Sequence, residues 1–100
     1  MKLLTENELD QVTNDNKKVL LQFSATWCMP CKTLTPVIEN YVKGKGDIVA
    51  YKVDISDQQA LAQKFNVRSV PKLVLFVDGT VSKEAVGMMN EAKLKMFIES

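Results

Sequence analysis

Val19-Leu20-Leu21-Gln22-Phe23-Ser24-Ala25-Thr26-Trp27-Cys28-Met29-Pro30-Cys31-Lys32 carries an apolar segment directly into two thiols three residues apart, in a chain with no other cysteine. Lys18 to Ser24 reads as a strand. Val19, Leu21 and Phe23 point one way and Leu20, Gln22 and Ser24 the other, and a run this apolar on both sides suits a central position in a sheet. From Lys32 the pattern changes: Leu34, Val37, Ile38, Tyr41 and Val42 recur with helical period. The thiols therefore fall where a strand gives way to a helix. Two cysteines at this spacing can close and reopen a small disulfide ring, or they can form half of a metal site.

Ligand counting weighs against the metal. Zinc normally takes four ligands, and the chain offers two sulfurs and no histidine, so a site would need carboxylates or a second molecule. No metal site is expected. The absence of histidine also removes a Cys-His scheme for proteolysis or acyl transfer.

The bulk numbers agree with redox chemistry. One hundred residues fit a single domain over residues 1–100, large enough to bury a core without a disulfide to hold it together. A hydrophobic content of 46% with 25% charge is ordinary for a globular protein, and a net charge of +1 from scattered basic residues gives no reason to expect nucleic acid or an anionic membrane as partner. Met1 to Glu6 holds no apolar run of signal-peptide length, and no segment approaches the roughly 18 apolar residues of a membrane span. The expected compartment is the cytosol, where reducing conditions disfavour structural disulfides.

Outward from the cysteines, Thr5 and Glu8 have capping-box spacing ahead of a short helix from about Glu6 to Thr13. Pro36 should kink the helix after the thiols, and Gly44 to Asp47 closes it. Ile48 to Asp54 reads as a second strand, Ser56 with Gln59 opens a helix through Phe65, and Lys72 to Val77 is a third strand. Asp78-Gly79 is a hairpin signal leading to Thr80–Val86, and Asn90 caps a closing helix with Leu94, Phe97 and Ile98 inward. A strand-helix-strand unit of this length implies a right-handed parallel crossover. The fold class is α/β: a mixed central sheet with a parallel core and an antiparallel C-terminal hairpin, flanked by helices on both faces.

At this point the residues resemble the thioredoxin family over nearly the whole chain. Val19 to Lys32 is similar to the family's strand and active-site turn, and Pro36 matches the proline that kinks its second helix. Val67-Arg68-Ser69-Val70-Pro71 is similar to the loop carrying its cis-proline, and Gly87 sits where the family has a glycine before its last helix. Each landmark alone is weak, while their order and spacing together are specific. The resemblance implies the thioredoxin fold and a protein-disulfide reductase working through a reversible Cys28-Cys31 dithiol/disulfide. It also implies no bound cofactor, disulfide-containing protein substrates, thioredoxin reductase as electron donor, and a cytoplasmic monomer. Two rivals are a glutaredoxin-like enzyme served by glutathione and a non-catalytic thioredoxin-fold subunit of a larger assembly; the extra N-terminal helix and the Trp27-Cys28 pair favour thioredoxin over glutaredoxin.

A helix beginning near Cys28 puts the first thiol at a helix N-terminus, where unpaired N–H groups and the helix dipole favour negative charge. Cys28 is thus the expected nucleophile. Cys31, nearly one turn deeper, is the expected resolving thiol. Pro30 suits the first helical turn, where its missing N–H removes no hydrogen bond. Pro71 is either an ordinary loop proline or, as the resemblance implies, a cis-proline facing the disulfide; in that case the Val70 backbone is an open edge for a substrate strand. Trp27 can pack locally, and beside the thiols it can shield them and offer apolar surface.

Three residues depart from the family pattern. Gln22 stands where the family commonly has a buried aspartate credited with moving a proton to or from the second cysteine, and an amide cannot titrate. Either water or another group, with help from Lys52, does that work, or Gln22 is a hydrogen-bonded core residue and Lys52 an ordinary strand lysine. Met29 replaces a common glycine between the cysteines. Lys72 replaces a common threonine after the proline and brings positive charge near the site if it points inward; otherwise it is solvated surface. Met29, Met88 and Met89 together suggest a soft apolar rim around Cys28, with helix-end packing the competing reading for Met88 and Met89.

Overall fold

The computed structural model describes residues 1–100. Strand β2 (Lys18–Ser24) holds the centre of the sheet because both its faces are apolar, and every residue from Val19 to Ser24 is buried. Around it lie β1 (Lys2–Leu3), β3 (Ile48–Asp54), β4 (Lys72–Val77) and β5 (Thr80–Val86), in the spatial order β1-β3-β2-β4-β5. β3 runs parallel to β2 with Gln22 opposite Lys52, and β4 runs antiparallel with Gln22 opposite Leu73. The parallel core and the antiparallel hairpin β4–β5 match the expected mixed sheet. In the hairpin, Asp78 (φ 51°) and Gly79 (φ 86°) both adopt positive φ, the requirement of the tightest two-residue hairpin turn.

The alternation along β2 feeds two separate cores. Val19, Leu21 and Phe23 pack with Leu9, Leu61 and Phe65, contributed by α1 (Leu9–Asp15), α3 (Gln59–Lys64) and the residue after α3. Leu20 packs on the other face with Leu34, Ile38, Leu94 and Ile98 of α2 (Met29–Val42) and α4 (Glu91–Glu99). Each such fully buried side chain contributes about 1.5–3 kcal/mol. Phe65 joins the first core by tilted and edge-on contacts to Phe23 and Phe76, with ring centroids 5.6 and 5.7 Å apart. α2 and α4 are also tied at their surface: the Tyr41 hydroxyl donates to Glu99 at 2.5 Å. Burial first, and then this hydrogen bond, push the Tyr41 phenol up to about 12.

Three elements differ from the sequence reading. Strand β1 was unforeseen, since two residues show no alternation; Lys2 and Leu3 pair with Tyr51 and Lys52 on the outer edge of β3. The first helix splits into a 3-10 turn at Glu6–Glu8 and α1 extending to Asp15. Here the Glu8 carboxylate accepts from the Thr5 N–H (2.9 Å) and hydroxyl (3.0 Å). α3 starts at Gln59 and not at Ser56, because the Asp54 carboxylate captures the N–H groups of Ser56 and Asp57 and holds that segment as a turn. α2 runs without a break through Pro36.

Candidate active site

β2 ends at Ser24 and α2 begins at Met29, so the two cysteines stand at the C-terminal end of the central strand. Cys28 is the N-cap of α2: its backbone is extended, and its sulfur accepts the Cys31 N–H at 3.2 Å. Pro30 occupies the first turn. Cys28 and Cys31 form a disulfide with their Cα atoms 5.3 Å apart. Both are enclosed, at 3% and 1% exposure, among Ala25, Ile55 and Val70. No group of three or more His, Cys, Asp or Glu side chains is placed to hold a metal ion.

Next to this sheltered pair in the chain, large apolar side chains stand open to solvent. Trp27 is 70% and Met29 68% exposed, and Met88 is exposed as well. Met89, by contrast, packs against the core between α2 and α4, which answers to helix-end packing and removes it from the rim. The Val70–Pro71 peptide is cis, and the Val70 side chain touches the cysteine cluster. Gly87 donates its N–H to the Pro71 carbonyl at 2.9 Å, joining the segment after β5 to the Pro71 loop. It does so at φ +107°, a backbone region that side-chain-bearing residues rarely enter.

Gln22 is completely buried and every polar atom of its side chain is partnered. Its amide N–H₂ donates to the Cys31 carbonyl at 3.0 Å, and its amide oxygen accepts from the Thr35 hydroxyl at 3.0 Å. Gln22 thus touches the backbone of the second cysteine. Thr35 escaped the sequence reading, although a hydroxyl four residues after Cys31 shares its helical face. Lys52, opposite Gln22 in the β2–β3 register, makes no hydrogen bond to it. Lys52 lines instead a cleft of about 400 Å³ with Leu3, Ser24, Ala25, Thr26, Lys32 and Asp54.

Lys72 is corrected. It is neither solvated surface nor a free cation facing the cysteines. Its ammonium is buried, donates to the Phe65 carbonyl at 2.6 Å and pairs with Glu84 at 2.8 Å. Lys72 alternates onto the same face as Val74, and there it caps the end of α3, whose last carbonyls attract a cation.

The thioredoxin family model matches residues 1–100. The chain belongs to the thioredoxin family. It is 35% identical over 100 residues to a thioredoxin of Mycoplasmoides gallisepticum, covering 99% of this chain and 100% of the relative. Thioredoxin C-2 of Corynebacterium nephridii is 40% identical over 97 residues, covering 94% and 88% of the two chains. Among solved structures, a point variant of the Halobacterium salinarum NRC-1 thioredoxin superposes with a TM-score of 0.90 at 44% identity, covering 99% and 87%. Plasmodium falciparum thioredoxin gives 0.89 at 31% identity, covering 99% and 97%. With the family and the bonded Cys28–Cys31 pair together, the protein is a thiol-disulfide oxidoreductase acting on protein disulfides. No helix is long and apolar enough to cross a membrane.

Proposed function

We propose that this thioredoxin is a cytoplasmic, monomeric, single-domain protein-disulfide reductase in which Cys28 is the nucleophile and Cys31 the resolving thiol. The Cys28 thiolate attacks a substrate disulfide, breaking it and expelling one substrate thiolate. Cys31 then attacks the Cys28 sulfur, the second substrate thiolate leaves, and the Cys28–Cys31 disulfide forms. A thioredoxin reductase supplies the two electrons that restore the dithiol, and the cycle needs no bound cofactor.

The observation carrying this assignment is the Cys31 N–H directed at the Cys28 sulfur from 3.2 Å at the start of α2. A helix N-terminus favours negative charge on the sulfur it faces. Trp27, Met29 and Met88 form the rim on which an apolar substrate segment rests, Pro30 starts the helix, and the Val70 backbone offers hydrogen-bonding groups to an extended substrate. Gly87 and Lys72 hold the Pro71 loop in place from two sides.

Trapping tests the roles. Cys31→Ser should accumulate substrate adducts on Cys28, and adducts on Cys31 in Cys28→Ser would reverse the assignment. Turnover with glutathione in place of a thioredoxin reductase would move the protein to the glutaredoxin-like reading. Full biological activity after both cysteines are changed to Ser would make it a non-catalytic subunit.

A further inference from the structure

We infer that Gln22 and Thr35 form a clamp on the Cys31 carbonyl that keeps the resolving thiol seated while the disulfide is open, making Thr35 a positioning residue for the second half of the reaction. The inference rests on the proposed roles of Cys28 and Cys31. It begins with a weakness in α2. Pro30 and Pro36 lack N–H groups, so Pro36 leaves the Lys32 carbonyl without its helical partner. The first-turn bond from Lys32 N–H to the Cys28 carbonyl is long, at 3.3 Å, as is the bond from the Thr33 hydroxyl to the Met29 carbonyl. The turn that carries both thiols is therefore bonded along its own axis by long contacts at these two positions.

Its side-chain tie to the central strand is Gln22, donating to the Cys31 carbonyl at 3.0 Å. The Thr35 hydroxyl lies 3.0 Å from both the Gln22 amide oxygen and the Cys31 carbonyl. A hydroxyl has one hydrogen, so it donates to one of these at a time. Donation to Gln22 fixes the amide with its N–H₂ toward Cys31. With the hydroxyl donating to Gln22 and the Gln22 amide donating to the Cys31 carbonyl, two hydrogen bonds in series link the next turn of α2, β2 and the turn of Cys31. None of the three groups titrates, so the clamp holds at any working pH.

The two chemical steps depend on it differently. The first uses the Cys28 sulfur at the helix N-terminus, where it accepts the Cys31 backbone N–H; a partial displacement of the Cys31 turn weakens that contact without removing the sulfur from the helix end. In the second, the Cys31 thiolate, its proton lost to solvent, must approach the Cys28 sulfur in line; the bond between Cys28 and the substrate sulfur breaks and its electron pair leaves with the substrate thiolate. Misplacement of about 1 Å in such a reaction lowers the rate about 100-fold.

Reduced protein mixed with dithiobis(nitrobenzoate) in a stopped-flow spectrometer releases one coloured thiolate per step, so the steps are read separately. Thr35→Val and Gln22→Leu should slow the second release about 10-fold and leave the first within about 2-fold, as a partial displacement of Cys31 predicts. Thr35→Ser, which keeps the hydroxyl, should restore the second release. Equal slowing of both releases, or no slowing of the second, in variants with native circular dichroism would overturn the clamp. If Thr35→Val does not fold, Thr35→Ala is read by the same criteria. Cys31→Ser separates the underlying roles: it should give the first release alone at the native rate, and loss of that first release would refute the role assignment and not the clamp.

Discussion

Glu84→Gln and Lys72→Met, singly and together, test whether the buried lysine binds α3 to the start of β4. The Lys72 side chain is 10% exposed and that of Glu84 45%, so the pair is half inside and half in water. Glu84→Gln leaves the ammonium buried with no charged partner and with the neutral Phe65 carbonyl as acceptor, and for a pair this open to solvent the loss is about 1 kcal/mol. Lys72→Met strips the donor from the Phe65 carbonyl, which by itself costs about 1–3 kcal/mol. Relief of the ammonium's desolvation offsets part of that, so a net loss of about 1–2 kcal/mol is expected. Because the 2.8 Å contact is much shorter than the screening length of about 8 Å in physiological salt, the double-mutant coupling should persist there at about 0.5–1 kcal/mol. Urea unfolding of the oxidised protein reads these values from midpoints at unchanged slope. Zero coupling, or a Lys72→Met variant more stable than the native chain, would refute the tie and make Lys72 a buried burden.

Gly87→Ala should lower stability by about 1–3 kcal/mol through backbone strain alone, since a Cβ there meets nothing within 4 Å; urea unfolding checks it, and a neutral result would mean the segment relaxes. Tyr41 has its phenol raised from 10.0 to about 12, so its contribution to stability is complete below pH 10 and is lost as pH rises through 12. Tyr41→Phe should therefore flatten the fall in unfolding free energy over that interval. Trp27→Ala, at an exposed position, should change stability by less than about 0.5 kcal/mol while raising KM for a protein disulfide; an unchanged KM would remove Trp27 from the docking rim.

The strongly patterned elements were legible because their burial is. β2, β3, β4 and α2 announce themselves through continuous apolar runs or a helical stripe, and Asp78-Gly79 forces the hairpin by backbone conformation. What was hidden depends on tertiary partners. β1 exists because an open edge of β3 is available to Lys2 and Leu3, and the start of α3 moved because Asp54 competes for the N–H groups of Ser56 and Asp57. At the site, the cysteines and the Pro71 loop follow from local sequence. Lys72 misled because its length suggests water, and only the packed structure brings Phe65 and Glu84 to it. Thr35 was invisible for a related reason: its hydroxyl acquires meaning from Gln22, thirteen residues earlier and on a different element.

Gln22 has a consequence for how the chain finds its alignment. β2 is apolar on both faces, so sliding it by one residue would exchange the contents of the two cores without exposing a leucine, and hydrophobicity alone discriminates weakly between the two arrangements. In the slipped arrangement the Gln22 amide would sit among Leu9, Leu61 and Phe65, the neighbours of the odd-numbered face, at a penalty of about 1–3 kcal/mol for unpaired polar atoms. Only the native alignment brings it to Thr35 and the Cys31 carbonyl. An apolar residue at position 22 would keep the core full and let misaligned chains compete during folding.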